Sequence, residues 1–295
     1  MINEQEHQAT LSAKLWVKKL SDIKRYSFNN NENPKMIHEQ DDFNHVRRVM
    51  YLGEILTKIL LKDPSSPYKP DLRHVQSMGY HHDDAEIVTG DILATAKAKM
   101  NKEEFQELKQ REDLASHALA HFIFELKPPQ DQIYIDTQRE LRNKLTLESQ
   151  IVDVADKWDS LCEILHEVRC GNKPFSELLS FRKQVFIHFR NNYSFYEILE
   201  KNSLLEFNEI PTPQQAKELP TMDISDLKKP TDIAEFMSTA KTKGLPTCYR
   251  TWAELNKNIF DVRPEKFIFP GWYMQLWINW NTFPGNTTAS GLWMR

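Results

Sequence analysis

Apolar positions recur at intervals of three and four residues along most of the first 200 residues, and two-residue alternation of any length is hard to find. In FNHVRRVMYLGEILTKIL (43–60), Val46, Val49, Met50, Gly53 and Leu56 fall on one face, and His45 stands at its edge. In IVDVADKWDSLCEIL (151–165) the same spacing links Ile151, Val154, Ala155, Trp158, Leu161, Cys162 and Leu165, with Asp156 flanking that face. Segments 103–126 and 175–189 also read as helices. Proline distribution agrees, since none lies from Asp71 to Lys127 or from Gln130 to Lys173. The pattern predicts an all-α helical bundle over this part of the chain.

Beyond about Asn202 the texture changes. Pro211, Pro213, Pro220 and Pro230 interrupt 208–230, which reads as a linker or an irregular wrapping segment. Short helices are predicted near 232–243 and 249–259, followed by an aromatic-rich terminus holding Trp272, Trp277, Trp280 and Trp293. The predicted division is a helical domain, 1–201, and a C-terminal extension, 202–295. Tyr273, Trp277 and Trp280 share a helical face, and with no basic residues interleaved they read as a packing surface and not as a platform for bases.

Composition narrows the function. The 295 residues carry 38 Lys+Arg against 42 Asp+Glu, a net charge of −4, which excludes a general basic field for gripping duplex phosphates. No two of the 8 glycines are separated by a single residue, so neither a dinucleotide-binding G-x-G-x-x-G nor a P-loop can be written. Cys162, Cys170 and Cys248 form no C-x-x-C pair, which suits free thiols in a reducing compartment. The N-terminus is polar, and the apolar run at 267–280 is short and broken by Pro270 and Gly271. The expectation is a cytoplasmic protein without a membrane segment.

The candidate chemistry lies on three separated helical stretches. His45, His82-Asp83 and Asp156 can converge on one ion, offering two imidazoles and two carboxylates. That mixed donor set suits Mn, Co, Fe, Zn or Mg with positions left for water and substrate. Glu86, four residues after His82, is expected on the same helical face one turn later, and Gly90 is expected to end the helix in a left-handed conformation that aims Asp91 back at the site. A divalent ion lowers the pKa of a water it holds, and a carboxyl beside it accepts or supplies a proton. The arrangement is hydrolytic.

These residues match the H…HD…D signature of HD-domain phosphohydrolases, and the chain more closely resembles the 5′-deoxynucleotidase branch. The second motif of that branch reads Y-H-D-x-x-E-V-x-T-G-D, and His82 to Asp91 (HDDAEIVTGD) keep its register. The third motif is also similar: Ala155-Asp156 leads into Leu161-Cys162 and ends at Gly171-Asn172 with the family's spacing. The likeness covers roughly residues 10–200. It implies that His45, His82, Asp83 and Asp156 bind a divalent metal ion (Co, Mn, Mg, Zn or Fe), and that Glu86 and Asp91 are the catalytic carboxylates. Arg25-Tyr26 lies where the family has Arg-Trp, which implies nucleotide contact, and Lys97 matches a lysine that could meet phosphate. The family's proline-rich stretch after T-G-D is replaced here by Ile92 to Ala96, so base and sugar selectivity are open.

The resemblance implies hydrolysis of 2′-deoxyribonucleoside 5′-monophosphates, with a small nucleotide as partner, no nucleic acid, and a homodimer. Two alternatives stay open: a deoxynucleoside triphosphate hydrolase drawing on Arg47, Arg48, Lys97 and Lys99, and a nucleotide-sensing protein that keeps the pocket. His81, Asp84, Asp153, Asp159, His117 and His121 are read as lying outside the ligand set, in the outer shell or on solvated faces.

Overall fold

A computed structural model of the chain describes residues 4–26, 36, 40–202, 210–219, 221, 248–249 and 251–252. The helix read near 232–243 and the tryptophans from Trp272 onward lie outside these residues, and of the one near 249–259 only Tyr249, Thr251 and Trp252 fall among them.

The described residues are helical, with no strand and a single isolated antiparallel bridge between Lys24 and Asp41. In chain order the helices are α1 (Glu4–Asp22), α2 (Asp42–Lys62), α3 (Leu72–His81), α4 (Glu86–Thr89), α5 (Ala94–Lys97), α6 (Lys102–Ala118), α7 (Gln130–Asn143), α8 (Leu147–Arg169), α9 (Leu178–Asn192), α10 (Tyr196–Lys201) and α11 (Pro213–Glu218). A π-turn, Leu119–Ile123, continues α6, and a 3-10 turn, Lys173–Glu177, leads into α9.

Local chemistry sets the ends of the helices that matter. Asp41 caps α2, its carboxylate accepting the Asn44 N–H at 2.8 Å. Thr146 and Ser149 form a reciprocal capping box at the start of α8. The 23-residue α8 is buried nearly all round, so it forms the axis of the bundle. α2 and α3 pack against it and against each other, and α9, α10 and α11 close its far side. A second core, built on Trp16, Phe43, Tyr80, Leu119 and Tyr134, joins α1, α2 and α3 to the π-turn and α7.

Part of the C-terminal extension lies inside the main core. Ile210, Ala216, Cys248, Tyr249 and Trp252 are buried there among side chains of α8 and its neighbours. All three cysteines are free and buried. No helix among the described residues is long and apolar enough to cross a membrane.

Two local expectations differ from the structure. α3 ends at His81, residues 82–85 form a tight turn of i→i−3 hydrogen bonds, and Glu86 begins a separate helix. Glu86 and His82 therefore do not share one continuous helical face. Gly90 has φ 76° and ψ 162°, a region open essentially to glycine alone, where a left-handed helical cap would need a much smaller ψ. The chain thus turns sharply before Asp91, as expected, by a different backbone route.

Candidate metal centre

His45 projects from the buried face of α2, His82 and Asp83 from the turn after α3, and Asp156 from near the middle of the axial helix α8. Their donor atoms meet. His45 Nε2 lies 3.2 Å from His82 Nε2, 3.2 Å from Asp83 Oδ2 and 3.4 Å from Asp156 Oδ1, and His82 Nε2 lies 3.2 Å from Asp83 Oδ2.

The outer nitrogens of both imidazoles are committed elsewhere. His82 Nδ1 is 2.8 Å from the Gly79 carbonyl oxygen, which can only accept, so that nitrogen carries the proton. His45 Nδ1 is 2.6 Å from Asp159 Oδ2, again an acceptor. Neutral imidazoles held this way turn two Nε2 lone pairs toward each other and toward two carboxylate oxygens. Four electron-rich atoms at such separations fit a divalent cation, and the outer hydrogen bonds are those that orient histidine ligands at metal sites. Burial and the Arg25 charge push the His45 imidazole down, but its hydrogen bonds to Asp156, Asp159 and Asp83 outweigh them and hold it well above its ordinary value. Without a cation, those carboxylates hold a proton in its place.

Beside this cluster lies a second group of acids. Asp42, Glu86 and Asp91 each offer an oxygen within 4.8 Å of the others. Burial pushes Glu86 well above the usual carboxylate range, and Asp83, Asp42 and Asp91 add to the effect. Asp42 is pushed up to about 7, mainly by burial; Arg25 opposes this, while Asp83 and Asp91 reinforce it. Arg25 bridges the two groups, 3.7 Å from both Asp42 and Asp83 and 3.5 Å from Glu163.

Tyr26 adopts φ 58°, a left-handed conformation that a bulky residue keeps only when its surroundings hold it. Here its N–H donates to Asp91 Oδ2 at 3.0 Å, and its ring meets the edge of Phe175 at 5.5 Å. Asp91 thus fastens the Arg25-Tyr26 segment to the site.

All of this opens on a cavity of about 290 Å³ lined by Arg25, Tyr26, Asp83, Glu86, Asp91 and Lys97, among others. Lys97 lies 3.5 Å from Glu112 on the cavity wall, and although burial lowers its pKa, Glu86 and Glu112 raise it further. Of the four cations a triphosphate would draw on, Lys97 lines the cavity, whereas Lys99 is exposed, Arg48 is buried behind His45 and Arg47 is buried against the Phe43 ring.

The residues set outside the ligand set have other partners. His81 and Asp84 belong to a buried network in which Asp84 accepts from Trp16 Nε1 at 2.6 Å and Tyr134 Oη at 2.8 Å, tying α1 and α7 to the turn. Asp153 accepts from Tyr193 Oη at 2.7 Å, and His117 lies beside Asp113 and Arg139. His121 sits in the π-turn. Asp159 is buried and touches His45 directly.

Sequence reasoning passed over Asp42, Ser160 and Arg182. Ser160 lines the cavity and accepts from Arg25 Nη2 at 3.3 Å. Arg182 lines it from α9, is 7% exposed, and has a buried Nη1 without a hydrogen-bond partner. For Arg182 the available signal was a charged residue interrupting an apolar helical face; Asp42, at the first position of α2, and the neutral Ser160 gave none.

Over residues 14–194 the chain matches the family described as YfbR-like 5′-deoxynucleotidases. Its fold is similar to that of an HD-domain phosphohydrolase from Listeria innocua, with 21% identity and a TM-score of 0.51 over 69% of this chain and 94% of that one. It is similar also to a Pyrococcus horikoshii protein, with 18% identity and a TM-score of 0.50 over 67% of this chain and 95% of that one. No curated protein matches the chain.

Proposed function

Because the chain belongs to the YfbR-like 5′-deoxynucleotidase family, we propose that its converging His45, His82, Asp83 and Asp156 hold the divalent ion on which this phosphohydrolase depends. The protein hydrolyses 2′-deoxyribonucleoside 5′-monophosphates to deoxynucleoside and phosphate. The observation that carries the residue assignment is the pair of opposed Nε2 atoms 3.2 Å apart, each imidazole anchored through its other nitrogen.

A divalent ion in this cluster supplies a Lewis acid for the phosphoryl group and lowers the pKa of water. The chain's own residues do the rest. Arg25 and Lys97 place positive charge on the cavity wall, where the phosphate would sit. Glu86, whose buried carboxyl favours its protonated form, gives a proton to the departing 5′-oxygen. Asp91 orients the attacking water, takes up the proton that water loses, and holds Tyr26 against the nucleoside. Arg182, with one buried nitrogen unsatisfied, adds a further contact to substrate. Tyr26 and the Ile92 to Ala96 segment select base and sugar.

Residues 1–201 form the phosphohydrolase domain and 202–295 an extension to it. Exposed Leu114 on α6 and Phe122 on the π-turn that continues it offer apolar surface to a homodimer. Three free cysteines favour a cytoplasmic setting.

Asp83→Asn and Asp156→Asn are expected to lose bound metal and phosphate release together, measured by elemental analysis and by chromatography on a panel of dNMPs, NMPs and dNTPs. Wild-type turnover in either variant would refute the ligand assignment.

A further inference from the structure

Behind His45, on the side away from the cavity, lies a buried polar network that the hydrolytic chemistry does not use. Asp159 Oδ2 meets His45 Nδ1 at 2.6 Å. Arg48 donates to the same carboxylate through Nε, 2.6 Å from Oδ1, and Nη2, 3.0 Å from Oδ2. Arg48 also donates to Glu163 at 2.5 Å and to Gln40 at 2.9 Å. The fourth donor to Asp159 comes from the C-terminal extension: Trp252 Nε1 lies 2.5 Å from Oδ1. Trp252 is 2% exposed, and the Arg48 guanidinium sits over its ring at 5.6 Å.

Neighbouring residues hold this tryptophan in place. The Cys248 carbonyl accepts from Trp158 Nε1 at 3.0 Å, and the Tyr249 ring stacks on Trp252 at 5.7 Å. Tyr249 Oη lies 3.2 Å from His166 Nδ1. All three anchors on the axial helix (Trp158, Asp159 and His166) face residues that lie beyond the stretch matched to the family, 14–194.

We propose that the 248–252 segment is a working part of the metal centre, with Asp159 and Trp252 acting as positioning residues that hold the His45 imidazole in the tautomer and orientation its ligand role requires. The physical argument is one of saturation. A carboxylate has about four lone-pair directions, and here all four are taken by fixed donors, so Asp159 cannot rotate away from His45. A carboxylate behind a histidine ligand sets the ring's orientation and raises its basicity, and losing it typically costs 10–100-fold in metal affinity. Removing the Trp252 N–H frees one edge of the carboxylate, and a smaller loss in the same direction follows. The extension thereby contributes to holding the ion without touching the cavity.

The inference rests on His45 being a ligand, and the test separates the two claims. Full-length wild type, Trp252→Phe, Asp159→Asn and His45→Ala are titrated with Co²⁺ against a chromophoric chelator, and their visible Co²⁺ spectra are recorded. Trp252→Phe keeps an aromatic ring at this buried position but loses the indole N–H together with the pyrrole half of the ring; it is expected to weaken Co²⁺ binding several-fold and to shift the spectrum. Asp159→Asn is expected to weaken binding roughly 10–100-fold. Wild-type affinity and spectrum in Trp252→Phe would overturn the role of the extension. If that variant fails to fold, wild-type affinity in Asp159→Asn overturns the proposal equally. Wild-type affinity in His45→Ala would instead refute the ligand assignment beneath it.

Discussion

Glu86 and Asp42 show how one environment can give neighbouring carboxyls different consequences. Glu86→Gln keeps the shape of a group outside the ligand set. It is expected to retain bound metal while kcat falls by about 10²–10⁴-fold, the usual range for a lost proton donor; metal analysis beside steady-state kinetics checks this. Asp42 affects stability. Its carboxyl is pushed up to about 7 in the fold, mainly by burial. In the unfolded chain it titrates near its ordinary value of about 4. Below that pH both states hold the proton. As pH rises from there toward 7 the unfolded state ionises first, so the fold progressively loses stability, and beyond 7 the loss is constant. Asp42→Asn is therefore expected to match wild type in melting temperature near pH 4 and to exceed it at pH 8. The measurement is thermal melting of chelator-treated protein across that range.

At the scale of elements, the 3.2 Å separation of the two imidazole nitrogens depends on how closely α2 and α3 approach. Gly79 makes that approach possible: a Cβ there would meet Met50 Cα at 3.0 Å and Met50 N at 3.2 Å, both backbone atoms of α2. Gly79 also offers the carbonyl that anchors His82. Gly79→Ala gains about 1 kcal/mol of helix propensity, but overpacking against an unyielding backbone costs about 1–3 kcal/mol. The expected result is a net loss of about 1 kcal/mol in chemical denaturation. Co²⁺ affinity should fall as well, since α3, and with it the following turn that carries His82, is pushed away from α2, which carries His45. An equally tight Co²⁺ site in this variant would show that the α2–α3 spacing does not set the donor geometry.

For the whole molecule, an ion held by His45, His82, Asp83 and Asp156, as proposed, would tie α2, the turn after α3 and the axial helix α8 together, and it would bind a geometry that the unfolded chain lacks. At a free-ion concentration of 100 times Kd such binding adds about 2.7 kcal/mol. For a domain of this size that corresponds to roughly 5–10 °C of melting temperature. Chelation is expected to lower the melting temperature by that amount, and excess Mn²⁺ or Co²⁺ to restore it. Because carboxylates hold a proton on His45 when no cation is present, the stabilisation should also shrink as pH falls. A melting temperature indifferent to chelator would mean that the cluster holds no ion under the assay conditions.

Much of this was legible in one dimension. The 3.6-residue spacing of apolar positions in 43–60 and 151–165 predicts helices because each must bury one stripe, and those stripes form the core of α2 and α8. The register from His82 to Asp91 places the candidate ligands and carboxylates close together because local turns set their order. Other features carry no local signature. Nothing near Asp159 distinguishes a surface acid from one clamped by four donors, since its partners lie on α2 and more than ninety residues downstream. Asp42 reads as an ordinary first-turn acid until burial among other carboxylates changes its affinity for a proton. The extension gives no sign in its pattern that Trp252 reaches the back of the metal centre. Periodicity reports which face of an element is buried; which side chains meet there, and with what charge, is decided only when helices distant in sequence pack together.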